Sequence, residues 1–227
     1  MNQIDVNKIV ENVINSYSYS SGNSEIDKIK DLIKRTNPYR LSEYDNDVEF
    51  IDDMIKTYLD KSWTTIHGKL MEQVQIEVSG GKKTNETGVD IEFIDKNIFV
   101  GSKSSPYWSN SDQRKSMLNN SKNLKESKNC EVFVVCSYGK TTQKYEHYTQ
   151  LAGQKGWEFL TGDSKMYIKI MNGFEVNHTH LKNLKKRVFG GVKKCALDFW
   201  IKNFYIDNQF DKQIYLDFVS ESNEKIN

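Results

Sequence analysis

Residues 89–103 read Val89-Asp-Ile-Glu-Phe-Ile94, then Asp95-Lys96, then Asn97-Ile-Phe-Val-Gly-Ser-Lys103, and their alternation decides the fold class. Two short β-rich runs of period two flank an Asp-Lys pair, the pattern of a tight antiparallel hairpin. If the turn pairs Ile94 with Asn97, then Phe93 faces Ile98, Ile91 faces Val100 and Asp90 faces Gly101. Alternation puts Asp90 and Glu92 on one face with Phe99, Gly101 and Lys103. Asp90 and Lys103 become near-diagonal neighbours within side-chain reach. Gly101 has no side chain, so open space is expected beside the acid and the lysine, where a metal ion or a phosphate could sit. A carboxylate that holds a divalent ion and an ammonium that orients water suit phosphodiester hydrolysis, and a hard, oxygen-seeking ion such as Mg2+ suits such ligands. The same pairing also serves as a plain surface ion pair.

Outward from the hairpin, the N-terminal side reads as helices over Ile4–Ile14, Glu25–Lys34 and Val48–Leu59, and a longer one from about Ser62 to Val78, stopped by Ser79-Gly-Gly81. Tyr17–Ser24 separates the first two and ends in Ser24, a plausible N-cap; Asn37-Pro38 marks another break. On the C-terminal side a loop, Ser104–Ser109, leads to a polar helix at Asn110, where Asn110 and Gln113 have capping-box spacing. A buried-type strand follows at Glu131–Ser137, a helix at Thr142–Gly153, a strand at Met166–Met171, and helix again through Val192–Phe204. The fold class is α/β: a central mixed sheet flanked by helices, with helical N- and C-terminal parts. One domain is expected, in three consecutive parts: 1–60 helical; 61–175 the core; 176–227 a basic segment and the last helices.

Composition narrows the function. A chain of 227 residues with 12% aromatics can bury a sizeable core and is not disordered. No run is apolar enough to span a membrane, and the N-terminus lacks the basic-then-apolar order of a signal peptide, so a soluble cytoplasmic protein without membrane partners is expected. Three cysteines, Cys130, Cys136 and Cys195, fit free thiols. The net charge of +1 hides an uneven distribution. Residues 1–60 hold 7 Lys/Arg against 12 Asp/Glu, whereas 179–194 hold six basic residues and no acid. Residues 101–128 are basic too. Such runs are either solvated helix faces or nucleic-acid contacts.

The stretch Thr87-Gly-Val-Asp-Ile-Glu-Phe93, followed by Val100-Gly-Ser-Lys-Ser-Ser-Pro-Tyr-Trp-Ser-Asn-Ser-Asp-Gln113, resembles the metal-binding core of type II restriction endonucleases of the PD-(D/E)XK superfamily, and within it the PmeII type. Tyr138–Thr141, Ala152–Leu160 and Met166–Met171 continue the resemblance in order, so it spans roughly residues 66–175. It implies a restriction-endonuclease-like fold and a Mg2+-dependent enzyme that hydrolyses both strands at a short specific double-stranded DNA site, leaving 5′-phosphates. Asp90 matches the metal-binding aspartate and Lys103 the catalytic lysine. The superfamily carries an acid two residues before that lysine, where this chain has Gly101. In relatives with that gap an acid from the preceding helix replaces it, and His67–Val74 resembles that helix with Glu72 in the acidic place. A helical wheel disagrees, putting Glu77 inside the apolar stripe of Ile66, Leu70, Val74 and Val78 and Glu72 opposite it. Gly68, one turn before Glu72, would let another backbone approach and favours Glu72. Glu92 is a further candidate ligand.

For DNA, Ser104, Ser105, Asn110, Gln113 and Arg114 are placed to contact phosphates or base edges. Lys182, Lys185, Lys186 and Arg187 suit nonspecific backbone attraction. Pro106-Tyr107-Trp108 either packs or shapes the DNA channel. Specific contacts are expected from the N-terminal part or the helix around Trp200. A palindromic site suggests a two-fold homodimer, and a restriction system implies a cognate DNA methyltransferase as functional partner. His178-Thr-His180, His67 and His147 have no cysteine pair at zinc spacing and read as ordinary histidines.

Overall fold

A computed structural model describes residues 5–17 and 23–223, with the side chains of 23–25 and 221–223 outside the description. Residues 18–22, most of the expected break, fall outside the described residues, and Ser24, the expected cap, lies one residue inside α2. Helices α1 (Val6–Ser16), α2 (Asn23–Arg35) and α3 (Asp47–Ser79) come first, with a 3-10 turn at Pro38–Glu43. Strands β1 (Lys82–Lys83), β2 (Ile91–Phe93) and β3 (Ile98–Lys103), helix α4 (Ser111–Lys128), and strands β4 (Glu131–Cys136), β5 (Gln143–Lys144) and β6 (Thr149–Ala152) follow. Then come α5 (Gln154–Thr161), α6 (Met166–Val176), α7 (His178–Phe204), the hairpin β7 (Tyr205–Ile206) and β8 (Gln209–Phe210), and α8 (Lys212–Asn223).

The chain clusters into two compact units that ignore chain order: residues 1–17 with 66–181, and residues 18–65 with 182–227. Both α3 and α7 run from one unit into the other. These units cut across the consecutive parts 1–60, 61–175 and 176–227.

In the first unit a six-stranded mixed sheet has the order β1-β2-β3-β4-β6-β5. Strands β3, β4 and β6 are parallel, and β1, β2 and β5 run antiparallel to their neighbours. Helix α4 covers one face, where Met117 and Leu124 join Phe99, Val132, Val134 and Cys136. Gly156 of α5 comes so close to Val135 that a Cβ would stand 2.9 Å from its methyl, which puts α5 on the other face. Helix α1 lies against α6, where Gly173 permits a close approach to Val10, and Asn177 Nδ2 donates to Asn7 O at 3.0 Å.

The expected hairpin register holds: Phe93 pairs with Ile98 and Ile91 with Val100. Its turn is a 3-10 turn over Ile94–Lys96 closed by Asn97 in the left-handed region (φ 51°), rather than a two-residue turn. Asn97 Nδ2 then donates to the carbonyls of Lys128 and Asn129, tying the turn to the end of α4.

Three expectations are corrected. Residues 62–78 are no separate helix, because the apolar series Ile51, Ile55, Leu59, Ile66, Leu70, Val74, Val78 skips only Ser62 and nothing there breaks a helix. Residues 142–153 form β5 and β6, not a helix. The buried face of that segment reads Tyr148, Gln150, Ala152, and a buried amide hides the alternation. Residues 166–171 begin α6 instead of forming a strand: Met166, Ile170 and Gly173 are buried at helical spacing, while Ile168 and Met171 are exposed.

The second unit is built on aromatic rings. Phe50, Trp200, Phe204 and Tyr215 pack mutually, and Trp200 Nε1 and Tyr205 OH both donate to Asp47 Oδ2 at 2.8 Å. Trp200 is 1% exposed, which makes it core rather than a DNA-facing residue.

Candidate active site

Asp90 stands just before β2, and its main chain is held twice: its N–H donates to Val100 O at 2.9 Å and its carbonyl accepts from Thr84 N–H at 3.1 Å. The carboxylate turns onto β3, where Oδ2 accepts the Ser102 N–H at 2.7 Å and lies 3.6 Å from Lys103 Nζ. Both side chains keep about a third of their surface open, 28% for Asp90 and 30% for Lys103. An acid and a cation in reach of solvent and of each other can hold a divalent ion and orient a water, as the hairpin register leads one to expect.

The end of β3 is braced from below. Lys103 O accepts from Ser137 N–H at 2.8 Å and from Ser137 Oγ at 3.3 Å, and Ser137 Oγ accepts from Gln75 Nε2 at 3.1 Å. Gln75 and Ser137 are buried, and Trp157 Nε1 donates to Ser137 O at 2.9 Å. Sequence reasoning missed these residues; a buried glutamine among the apolar positions of α3 was the available signal.

The space beside Gly101 is not open. A Cβ there would lie 3.3 Å from Gly88 O, 3.6 Å from the Met117 methyl and 3.7 Å from a Val134 methyl. Gly88 has φ +89°, a turn that brings its carbonyl against β3. An acid at this position would meet a carbonyl and two apolar side chains. Gly101→Glu is therefore expected to destabilise the protein by about 3 kcal/mol without raising activity. Urea unfolding checks this, and a stable variant would overturn the account.

The other acids divide. Glu72 is half-buried with Oε1 3.2 Å from Lys83 Nζ, whereas the expected backbone approach at Gly68 is not found: a Cβ there would meet the Ser104 hydroxyl at an ordinary 3.5 Å. Glu77, which the wheel put inside the buried stripe, is exposed and accepts from Gln73 Nε2. The buried arc drifts toward Gln75 as α3 reaches the sheet, which turns Glu77 out. Glu92 pairs across the strand with Phe99 and Lys82, near Lys128, whose pKa is raised mainly by its bond to Glu86 and also by Glu92. Among the described residues no three His, Cys, Asp or Glu side chains gather as a metal-binding group. The oxygen donor set still fits Mg2+, which commonly uses one or two carboxylates and takes its remaining ligands from water and phosphate.

Of the residues expected at DNA, Asn110 and Gln113 form a complete capping box on α4, each accepting the other's backbone N–H through its side-chain oxygen. That use leaves their side-chain NH2 groups, which suit phosphate oxygens. Arg114 Nε donates to Ser109 Oγ, and Ser105 Oγ accepts from Tyr107 N–H. Ser104 lines a mostly apolar cleft of about 520 Å3 with His67, Tyr138, Tyr167 and Phe174, which neither Asp90 nor Lys103 lines. Burial there lowers the His67 pKa. Pro106 and Trp108 pack inward while Tyr107 is exposed. Lys182, Lys185, Lys186 and Arg187 belong to the second unit, where Lys185 lies over the Trp63 and Phe189 rings.

Two other sequence expectations can be placed. The three cysteines are free, and burial pushes Cys136 up to about 12 although Lys103 opposes it, so its thiol is neutral and no nucleophile. His178 contacts Glu175 O and Thr179, and His180 lies 3.9 Å from Glu11.

Comparison with known families matches residues 4–183 to the type II restriction endonuclease EcoO109I. The chain belongs to the EcoO109I family. No curated protein sequence matches it. The EcoO109I match reaches well before residue 66, where the sequence resemblance began, and takes in α1, α2 and all of α3. EcoO109I-family membership makes the protein a type II restriction endonuclease, a hydrolase acting on double-stranded DNA. No helix among the described residues is long and apolar enough to cross a membrane.

Proposed function

We propose that this protein is a Mg2+-dependent type II restriction endonuclease of the PD-(D/E)XK kind, related to the PmeII type, that hydrolyses both strands at one short site and leaves 5′-phosphates. The observation that carries this is the approach of Asp90 Oδ2 to Lys103 Nζ at the hairpin of an EcoO109I-family chain. Asp90 would hold the ion, with Glu72 the first choice for a second carboxylate and Glu92 the next. A bound Mg2+ would screen the charge of the scissile phosphate and make water more acidic. The Lys103 ammonium orients the attacking water and stabilises the negative charge that builds on the phosphoryl oxygens. The leaving 3′ oxygen takes up a proton from solvent, and the phosphate stays on the 5′ side.

The core at 61–175 would cut, with Ser104, Ser105, Asn110, Gln113 and Arg114 on the DNA beside it. Lys182, Lys185, Lys186 and Arg187, in the basic part at 176–227, would add salt-sensitive backbone attraction. The N-terminal part at 1–60 would serve DNA contact or dimerisation. One centre per chain and two strands to cut point to a homodimer. A cognate methyltransferase would protect the host site, and a cytoplasmic enzyme is where both would meet DNA.

Purified protein with phage DNA and Mg2+ is expected to give discrete fragments. A smear or structure-dependent cutting would instead mean a repair nuclease. Gly101 motivates a second reading, a DNA-binding module with an impaired metal site: tight binding without any cleavage in Mg2+ or Mn2+ would establish it. To choose the second acid, Glu72→Ala is expected to slow cleavage by roughly 100-fold, with Glu92→Ala weaker and Glu77→Ala neutral. Unimpaired Glu72→Ala beside an inactive Glu92→Ala would reverse the order.

A further inference from the structure

The Lys103 ammonium has a second neighbour besides Asp90, the Trp108 ring, whose centroid is 5.6 Å away. The loop that carries this ring is fastened at three points. Tyr138 N–H donates to Ser104 O at 3.1 Å. Pro106 lies against Gly139 so closely that a Cβ there would stand 2.7 Å from the proline ring, and Gly139 has φ +104°. Trp108 Nε1 donates to Gln150 Oε1 at 3.1 Å. Gln150 is buried in β6, separated from β3 in the sheet by β4. The indole is a fixed surface, whereas lysine carries its charge on a flexible four-carbon stem.

We infer that Trp108 is a positioning residue for the hydrolysis proposed above: its ring face holds the Lys103 ammonium beside Asp90, and Gln150 holds the ring. The inference rests on Lys103 being the lysine of that reaction. Attraction to a ring quadrupole consumes none of the ammonium's hydrogen-bond donors. Paired with Asp90 alone, the ammonium would fold onto the carboxylate. Shared with the ring, it keeps donors for water and phosphate oxygens. Proximity of this kind acts on the chemical step more than on DNA affinity.

Single-turnover cleavage at saturating DNA and DNA binding in Ca2+ test this in Trp108→Leu, Trp108→Phe, Gln150→Leu and Lys103→Ala. Isotope-labelled lysine reads the ring-current shift of the Lys103 side-chain protons by NMR in the same proteins. Trp108→Leu is expected to slow cleavage roughly ten-fold with binding within about two-fold of the parent, and to lose the upfield shift. Trp108→Phe keeps a ring but loses the bond to Gln150, and is expected to slow cleavage only a few-fold and to keep part of the shift. Gln150→Leu, which frees the ring, is expected to slow cleavage a few-fold and weaken the shift; it carries the comparison with Trp108→Phe if Trp108→Leu does not fold. Parent-like cleavage in Trp108→Leu, equal losses in the Leu and Phe variants, or an unshifted Lys103 in the parent would overturn the inference. Parent-like cleavage in Lys103→Ala is a different failure, that of the reading of Lys103, and removes any part for Trp108 in catalysis.

Discussion

Asp90→Asn is expected to lower the rate of DNA cleavage at least about 1,000-fold while the protein melts close to the parent temperature. The substitution separates two tasks of one side chain. An amide oxygen can still accept the Ser102 N–H that Asp90 Oδ2 accepts at 2.7 Å, so the join between β2 and β3 survives. What disappears is the negative charge that would hold a divalent ion and that faces Lys103 Nζ at 3.6 Å. Asp90→Ala removes both and should also cost about 1–3 kcal/mol, because the half-buried Ser102 N–H loses its acceptor. Lys103→Ala is expected to be inactive yet stable, since the main-chain carbonyl that Ser137 braces does not depend on the side chain. A gel of phage DNA fragments and a melting curve on the same preparations check all three. Discrete fragments from Asp90→Asn at the parent rate would remove the hairpin from the mechanism.

Trp157→Ala carries the largest expected loss of stability, about 3–5 kcal/mol. The indole is 0% exposed on α5 and its Nε1 donates to Ser137 O at 2.9 Å. Truncation leaves a large cavity and deprives a buried carbonyl of its donor, two costs of different origin. Trp157→Phe separates them, because it fills most of the volume and loses only the hydrogen bond, with an expected cost of about 1–2 kcal/mol. Ser137 also braces Lys103 O, so the Phe variant should cleave DNA more slowly than its stability alone would suggest. Urea unfolding with a loss below about 1 kcal/mol for Trp157→Ala would mean that α5 does not seal this face of the sheet.

The fold and the site were legible in unequal parts. The β2–β3 register could be read because apolar residues alternate on both sides of a short turn, and a slip of one residue would turn Ile91 and Val100 out of the core. That register brings Asp90 and Lys103 together with no long-range knowledge. The α4 cap was legible for the same reason, since Asn110 and Gln113 satisfy each other within one turn. The wheel failed at Glu77 because its stripe followed apolar residues alone, whereas the buried side of α3 at the sheet also takes in Gln75, a polar residue that hydrophobic periodicity does not mark. Met166–Met171 fits either period, and only the close approach of α1 at Gly173 selects the helix.

By itself, then, the sequence determined the hairpin, its acid and lysine, the cap that follows and the α/β class, all of which depend on neighbours a few residues apart. Tertiary structure alone decided that residues 1–17 join 66–181, that the slot beside Gly101 is filled, that Gln75 and Ser137 brace Lys103, and that Trp108 is fixed by Gln150. Those contacts join residues 13 to more than 150 positions apart. A side chain's local pattern states how often it is buried, and only the packed partner states against what.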